Sequence, residues 1–432
     1  MIIQLLFVFT AIIIGARLGG IGLGVMGGVG MAILVFVFGL EPTSPPIDVM
    51  LMIAAVISAA AAMQAAGGLD YLVRIAEKLL RKNPSRVTIL SPFVTYLFTF
   101  VAGTGHVAYS VLPVIAEVAR ETKIRPERPL GIAVIASQQA ITASPISAAT
   151  VALLGLLSGF DISLFDILKI SIPATLIGVL VGAFMSKKVG KELLEDPEYL
   201  HRIETGMIKE NNLKFNEIKS LWKAKASVIL FIAATVLIVL FGSIPGMRPS
   251  FNGTALEMPA LIEILMLSTC AFILIISRTD GIAPTQGSVF IAGMQAVIAI
   301  FGIAWMGDTF INGNITVLTE AIKGVVTDMP WLFALALFIM SILLYSQAAT
   351  VRAIMPLGIA LGLNPMLLIA LFPAVNGYFF IPNYPTIVAA INFDRTGTTR
   401  IGKYILNHSF MMPGLVATTV AILTGLLLIQ LY

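Results

Sequence analysis

Residues 129–158, PLGIAVIASQQAITASPISAATVALLGLLS, form one apolar segment long enough to cross a bilayer, yet Thr142-Ala143-Ser144-Pro145-Ile146-Ser147 interrupts it in the middle. A hydrocarbon core about 30 Å thick takes about 20 apolar residues of helix. A proline at that depth removes an N–H from the helical ladder, and unpaired backbone survives there only inside protein or beside a polar cavity. Residues 364–393 repeat the arrangement, with Ile381-Pro382-Asn383-Tyr384-Pro385-Thr386 as the break. The chain is therefore expected to span a membrane with two broken helices.

Upstream of each broken span lies a stretch that reads as two half-length arms around a polar or small-residue tip. In 87–121 the tip is Gly103-Thr104-Gly105-His106; in 330–361 it is Tyr345-Ser346-Gln347-Ala348-Ala349-Thr350. Arms of about 14–16 residues reach only part way across at 1.5 Å per residue, so both stretches are predicted to be re-entrant hairpins. The spacing repeats, from Pro113 to Pro145 in one half and Pro356 to Pro385 in the other. Ten spans are predicted, at about 2–16, 20–40, 48–66, 129–158, 163–186, 225–242, 258–277, 286–311, 364–393 and 400–430. The expected fold is thus all-α and polytopic: ten transmembrane helices plus two hairpins, in repeats 1–186 and 225–432 joined by a linker at 187–224. Five crossings per repeat is an odd number, which makes the repeats inverted.

Composition agrees with a membrane class: 58% of residues are apolar and 12% charged, against about 45–50% and about 25% in soluble domains. One cysteine and three scattered histidines exclude a disulfide framework and Cys- or His-based metal motifs. The mild net charge of +4 gives no nucleic-acid face. Met1-Ile2-Ile3-Gln4 lacks the basic start of a signal peptide, so the first apolar run is expected to stay. Counted against the predicted topology, 23 of the 27 Lys and Arg fall on one face, Arg248 and Lys323 on the other, and Lys169 and Arg352 inside apolar segments. Because basic residues collect in the cytoplasm, both termini are predicted outside, with Asp70 to Lys82 and Ile315 to Val326 as surface helices.

Interrupted helices from inverted repeats meeting at mid-membrane are a common way to build a transport site. The second half of a broken helix begins with free N–H groups and a positive dipole end, which suits a carboxylate. Ser144-Pro145-Ile146-Ser147 reads as an N-cap followed by proline in the first turn, and Asn383-Tyr384-Pro385-Thr386 offers the same. Two such starts would hold both ends of a small dianion, with Thr104, Gly105, His106, Ser346, Gln347 and Thr350 supplying tip contacts. Arg352 could meet a substrate carboxylate or pair with Asp308 or Glu263; Asp308 itself reads as a surface carboxylate near a helix end. Glu117 and Arg120 read as a helix-surface pair, and 394–400 as a polar loop that gates access or caps the next helix. An intramembrane hydrolase would need a paired nucleophile and base, or facing aspartates, and none is spaced suitably; no enzyme is expected.

The whole chain resembles the Dcu family of anaerobic C4-dicarboxylate transporters, through Gly15-Ala16-Arg17-Leu18-Gly19-Gly20-Ile21, Gly67-Gly68-Leu69-Asp70, Gly103-Thr104-Gly105-His106, Ala143-Ser144-Pro145-Ile146-Ser147, Tyr345-Ser346-Gln347-Ala348-Ala349-Thr350 and the run Phe393 to Gly402. Ala304-Trp305-Met306-Gly307-Asp308-Thr309-Phe310 is similar to the branch that imports aspartate and fumarate and exports succinate, whereas His106 is shared with the fumarate–succinate branch. Asn383-Tyr384-Pro385 departs from the expected Thr-Tyr-Pro, and Arg352 from a lysine. The resemblance implies a bacterial cytoplasmic-membrane antiporter of the ion-transporter superfamily, with an elevator-type motion, often a dimer, and in one branch a membrane sensor kinase as partner. Exchange of dianions needs no cofactor; ion-coupled symport of dicarboxylate or another organic anion is the alternative, for which oxygen-rich tips would suit Na+ and His106 would suit H+.

Overall fold

The computed structural model describes the chain except residues 19, 20, 46, 209–219, 244–246, 252, 253, 315, 318–328, 330, 345, 383, 403–405 and 432. The elements are almost entirely helical. α1 (Ile2–Leu18) and α2 (Gly22–Ala32, continuing in a π-helical turn) are followed by α3 (Ile47–Ala65), α4 (Gly68–Lys82), α5 (Val87–Ala102) and α6 (Ala108–Glu121). Then come α7 (Glu127–Gln139), α8 (Ala148–Leu157), α9 (Leu164–Ser186), α10 (Pro197–Glu204), α11 (Leu221–Ser243) and α12 (Met258–Ser277). The remainder is α13 (Ile282–Thr285), α14 (Ser288–Gly313), α15 (Trp331–Leu344), α16 (Gln347–Ala360), α17 (Pro365–Leu371), α18 (Pro385–Phe393) and α19 (Met411–Leu428). One two-residue strand pair, Ser250–Phe251 with Thr254–Ala255, precedes α12.

Among the described residues six helices are long and apolar enough to cross a bilayer, and a seventh candidate is the pair α3 and α4, bent by 69° at Gly67. Gly67 sits at φ 83°, a left-handed conformation that glycine takes without the Cβ penalty, and this is where the apolar α3 gives way to the amphipathic α4. The predicted surface helix at 70–82 is α4. The segment predicted at 400–430 starts only at Met411, and the predicted helix at 315–326 falls largely outside the described residues. Both expected breaks are real: α7 stops at Gln139 before α8 starts at Ala148, and the second segment runs as α17, a 3₁₀ stretch Phe372–Phe379, and α18. The hairpin arms are 16 and 14 residues in the first stretch and 14 and 14 in the second. With the turn at Pro84–Arg86, however, the first arm totals 19 residues, enough to cross.

Packing sorts the helices into two groups. In one, α5 lies along α7 and α15 along the Phe372–Phe379 stretch, so each hairpin's first arm covers the first half of its own broken helix. The second arms trade partners: α16 packs on α8 and α6 on α18. Every residue of α7 from Arg128 to Gln139 is buried, so this helix is enclosed by protein rather than lipid. The other group holds α1, α2, α3, α11, α12 and α14. Here α2 and α14 cross with backbones almost touching, because a Cβ on Gly302 would collide with the main chain of Gly24, and one on Gly27 with that of Gly302. Small residues permit this approach, and close packing replaces the hydrophobic effect that lipid does not supply. α14 also packs on α16, joining the two groups.

The basic segments converge at one end. Arg81 reaches Glu121 at 2.7 Å, Arg125 reaches Asp196 at 2.5 Å, and Arg128 donates to the Val189 carbonyl at 2.8 Å. Arg202 donates to the Arg395 carbonyl at 3.1 Å, and Ser409 to Glu127 at 2.7 Å. Residues 81–86, 120–128, 187–205, 394–402 and 406–409 therefore lie together at one end. Glu117 and Arg120 form their helix-surface pair at 2.5 Å.

Candidate functional site

At the first break Ser147, not Ser144, caps α8: its Oγ accepts from Thr150 N at 3.1 Å and donates to the Ile141 carbonyl. Ser144 instead donates to the Phe100 carbonyl at 2.7 Å, tying the break to the end of α5. Pro145 lies in the turn ahead of the cap rather than in the first helical turn. The neighbouring tip depends on two glycines. Gly103 adopts φ +69°, and a Cβ there would press on the Ile146 carbonyl at 3.1 Å; one on Gly105 would lie 2.6 Å from Gln138 Nε2. At the second break Tyr384 is the cap position and Pro385 opens α18, as the sequence suggested. In the second hairpin Ser346 caps α16, its Oγ accepting from Ala349 N at 3.2 Å, and Thr350 returns its hydroxyl to the Ser346 carbonyl at 2.8 Å.

A buried cluster of amides joins these pieces. Gln347, the first residue of α16, donates from Nε2 to Gln138 Oε1 at 2.9 Å and to Asn376 Oδ1 at 3.2 Å. Asn376 donates to Thr142 Oγ1 at 3.4 Å, and Gln139 to Thr418 at 2.9 Å. Asn376 departs from helical geometry at φ −96°, ψ 28°, which turns it out of the 3₁₀ stretch. Several polar atoms at these elements are buried without a hydrogen-bond partner: Gln138 Nε2, Gln139 Oε1, Thr99 Oγ1, Tyr378 OH and Thr386 Oγ1. Such atoms are costly in a low-dielectric interior unless something occupies the site. An amide N–H left open beside helix starts is the chemistry that receives a carboxylate.

Of the predicted residues, Gln347 enters this cluster, while Ser144, Pro145 and Ser147 build the break beside it. Thr104, Gly105, Ser346, Thr350, Tyr384 and Thr386 shape the tips and the second break; the side chains of His106 and Pro385, and all of Asn383, lie outside the described residues. Gln138, Gln139 and Asn376 were missed, although the signal was present: polar residues standing in otherwise apolar spans are functional candidates by default. Arg352 follows Gln347 by five residues, about 7.5 Å along the helix. It lines a cavity of about 990 Å³ with Arg248, Glu257 and Asp161, larger than a small dianion alone would fill. Asp308 is not a surface carboxylate: its side chain is 19% exposed and faces Arg352 at 3.9 Å, because α14 packs directly on α16. The Asp394 loop caps itself, its carboxylate accepting from Thr396, Thr398 and Thr399, and the next helix begins far beyond it. Among the described residues no His, Cys, Asp and Glu group could hold a metal.

Apolar spans, two broken helices and a buried polar cluster where they meet define a multi-pass membrane protein with the architecture of a transporter. Residues 1–432 match the model of the anaerobic C4-dicarboxylate membrane transporter family, and the chain belongs to that family, whose members are transporters and not enzymes. It is 45% identical over 435 residues to the C4-dicarboxylate transporter DcuA of Escherichia coli K12, covering 99% of each chain. To DcuA of Wolinella succinogenes it is 44% identical over 430 residues, covering 98% of each. To the anaerobic C4-dicarboxylate transporter DcuB of Escherichia coli O6:H1 it is 40% identical over 446 residues, covering all of this chain and 98% of the other. In fold it is similar to the YdaH transporter of Alcanivorax borkumensis, with a TM-score of 0.59 at 14% identity over 99% of this chain and 96% of that one. Transport of C4-dicarboxylates is thus the function of the family to which it belongs.

Proposed function

We propose that the chain is an antiporter of the bacterial cytoplasmic membrane that takes up fumarate, malate or aspartate in exchange for succinate. The observation that carries this reading is the buried amide cluster of Gln138, Gln347 and Asn376, in which Gln138 Nε2 has no partner, with Arg352 five residues along α16 lining the cavity that would serve as its vestibule. Amide donors and helix starts would take one carboxylate and Arg352 the other. The two groups of helices would be the moving and fixed parts of an elevator built from inverted repeats 1–186 and 225–432. The fixed group, with its lipid-exposed α11 and α12, would carry any dimer contact. The basic end would face the cytoplasm, leaving both termini outside. Exchange of one dianion for another moves no net charge and needs no coupling ion, whereas net uptake would have to use Na+ or H+ against the membrane potential. A membrane sensor kinase remains a partner to be sought at the basic end.

Counterflow tests the reading. Proteoliposomes loaded with succinate should take up labelled fumarate or aspartate, and unloaded vesicles should not, with or without a sodium or proton gradient. Gradient-driven uptake by unloaded vesicles would replace antiport by symport and name the ion; no dicarboxylate uptake under any condition would remove the proposal.

A further inference from the structure

Arg352 is 10% exposed in its side chain, and its Nε is buried without an acceptor. A guanidinium out of water needs a counter-ion, and removing that counter-ion is strongly destabilising. Among the described residues the carboxylate within 4 Å is Asp308, at 3.9 Å from Nη2. That separation is well beyond the 2.7–2.9 Å of a charge-assisted hydrogen bond, so Asp308 neutralises Arg352 without engaging its donors closely, and the Arg352 side chain lines the cavity. The two residues belong to different groups of helices. Asp308 is on α14, which also packs on α2 and α3, whereas Arg352 is on α16, which packs on α14 itself and on α8 and α15. The helices touch here, since a Cβ on Gly307 would lie 3.7 Å from Ala353 Cα.

We infer that Asp308 is the resident counter-ion of Arg352, displaced by a substrate carboxylate, and that their pairing holds the empty carrier in the conformation open to the vestibule. A dicarboxylate entering from the vestibule can offer both oxygens to the open guanidinium, which a carboxylate at 3.9 Å does not. Arg352 then exchanges a partner fixed to α14 for one that travels with α16. Without substrate, α16 could leave α14 only by dragging an unpaired buried cation. An empty carrier that has released substrate on the vestibule side therefore waits there, which prevents net efflux without forbidding exchange. This inference rests on the exchange reading above, but it assigns Asp308 a role that reading does not need.

The test uses right-side-out membrane vesicles loaded with labelled succinate, with valinomycin and equal potassium on both sides. The parent should release label only when unlabelled dicarboxylate is added outside. Asp308→Asn should raise release into dicarboxylate-free buffer at least tenfold while exchange stays within threefold, and Asp308→Glu should behave as the parent. An Asp308→Asn protein that exchanges and stays as tight as the parent overturns the inference. A parent that exchanges nothing overturns the function instead. In the unaltered ion pair, cysteines at Gly307 and Ala353 with Cys270→Ser should cross-link when empty and at least fivefold more slowly with saturating succinate. Cross-linking indifferent to succinate in an exchanging protein also overturns it, whether or not Asp308→Asn folds.

Discussion

Replacing Gln138 by leucine keeps the bulk of the side chain and removes the open amide donor at the junction of the two breaks. In the folded protein Gln347 Nε2 loses its 2.9 Å acceptor but keeps Asn376 Oδ1 at 3.2 Å. The structural cost is therefore about one hydrogen bond, about 1 kcal/mol, or about 2–4 °C in Tm. The cost to binding is larger, because a hydrogen bond to a charged group contributes about 1.5–3 kcal/mol. With about 1.4 kcal/mol per tenfold, Kd for succinate or fumarate should rise about 10- to 150-fold. Purified protein titrated calorimetrically would give Kd, and a melt of the same sample would report folding. A variant with a Tm within about 4 °C of the parent and a Kd within threefold would refute the assignment of the amide cluster as the carboxylate site. Gln139→Leu would serve as a neighbouring comparison, since its Nε2 is already committed to Thr418.

Arg352→Ala should abolish measurable exchange and Arg352→Lys retain part of it, because lysine keeps the charge but not the bidentate fork; equal loss in both would point to a structural pair. Gly302→Leu should prevent the α2–α14 crossing and remove folded protein from the membrane, as read by fluorescence size exclusion, whereas Gly28→Ala, with open space around it, should be tolerated. At the basic end, burial works against the charged form of Asp196, but the Arg125 pair and the α10 amides outweigh it and hold the carboxyl below its ordinary range. Its stabilisation is present above the unfolded value of about 3.9 and is lost as pH falls through the lower folded one. Asp196→Asn should accordingly lower stability by about 1–2 kcal/mol, less than the loss of a fully buried pair because Glu127 still faces Arg125. The difference from the parent should be constant from pH 5 to 8 and vanish in acid melts. Single cysteines at Gly159 and Lys188, in a Cys270→Ser background, should be labelled from outside intact cells at the first position only.

The hydropathy of the chain carried the membrane class, the positions of both breaks and the lengths of the half-arms, because lipid imposes one rule on every segment: backbone polar groups are satisfied within it or hidden in protein. Local chemistry was legible to the same depth, as at Tyr384-Pro385 and in the amphipathic α4. Cap assignment at the first break was not, since Ser144 and Ser147 offer the same hydroxyl and only the path of the chain decides which meets an amide. The site was legible in part. Gln347 was found because it sits at a tip, while Gln138 and Asn376 lie seven and nine residues ahead of the prolines that drew the eye.

What the sequence alone determined is therefore the membrane class, the positions of the two breaks and the family. Only the tertiary structure decided which polar residues face one another: that Gln347 from a hairpin bridges amides of both broken helices, and that Asp308 is drawn inward to Arg352. Those pairings join residues up to about two hundred positions apart, and no local periodicity records them. They arise because α16 packs against both α8 and α14, a choice made by the fit of whole helices rather than by any one stretch of chain.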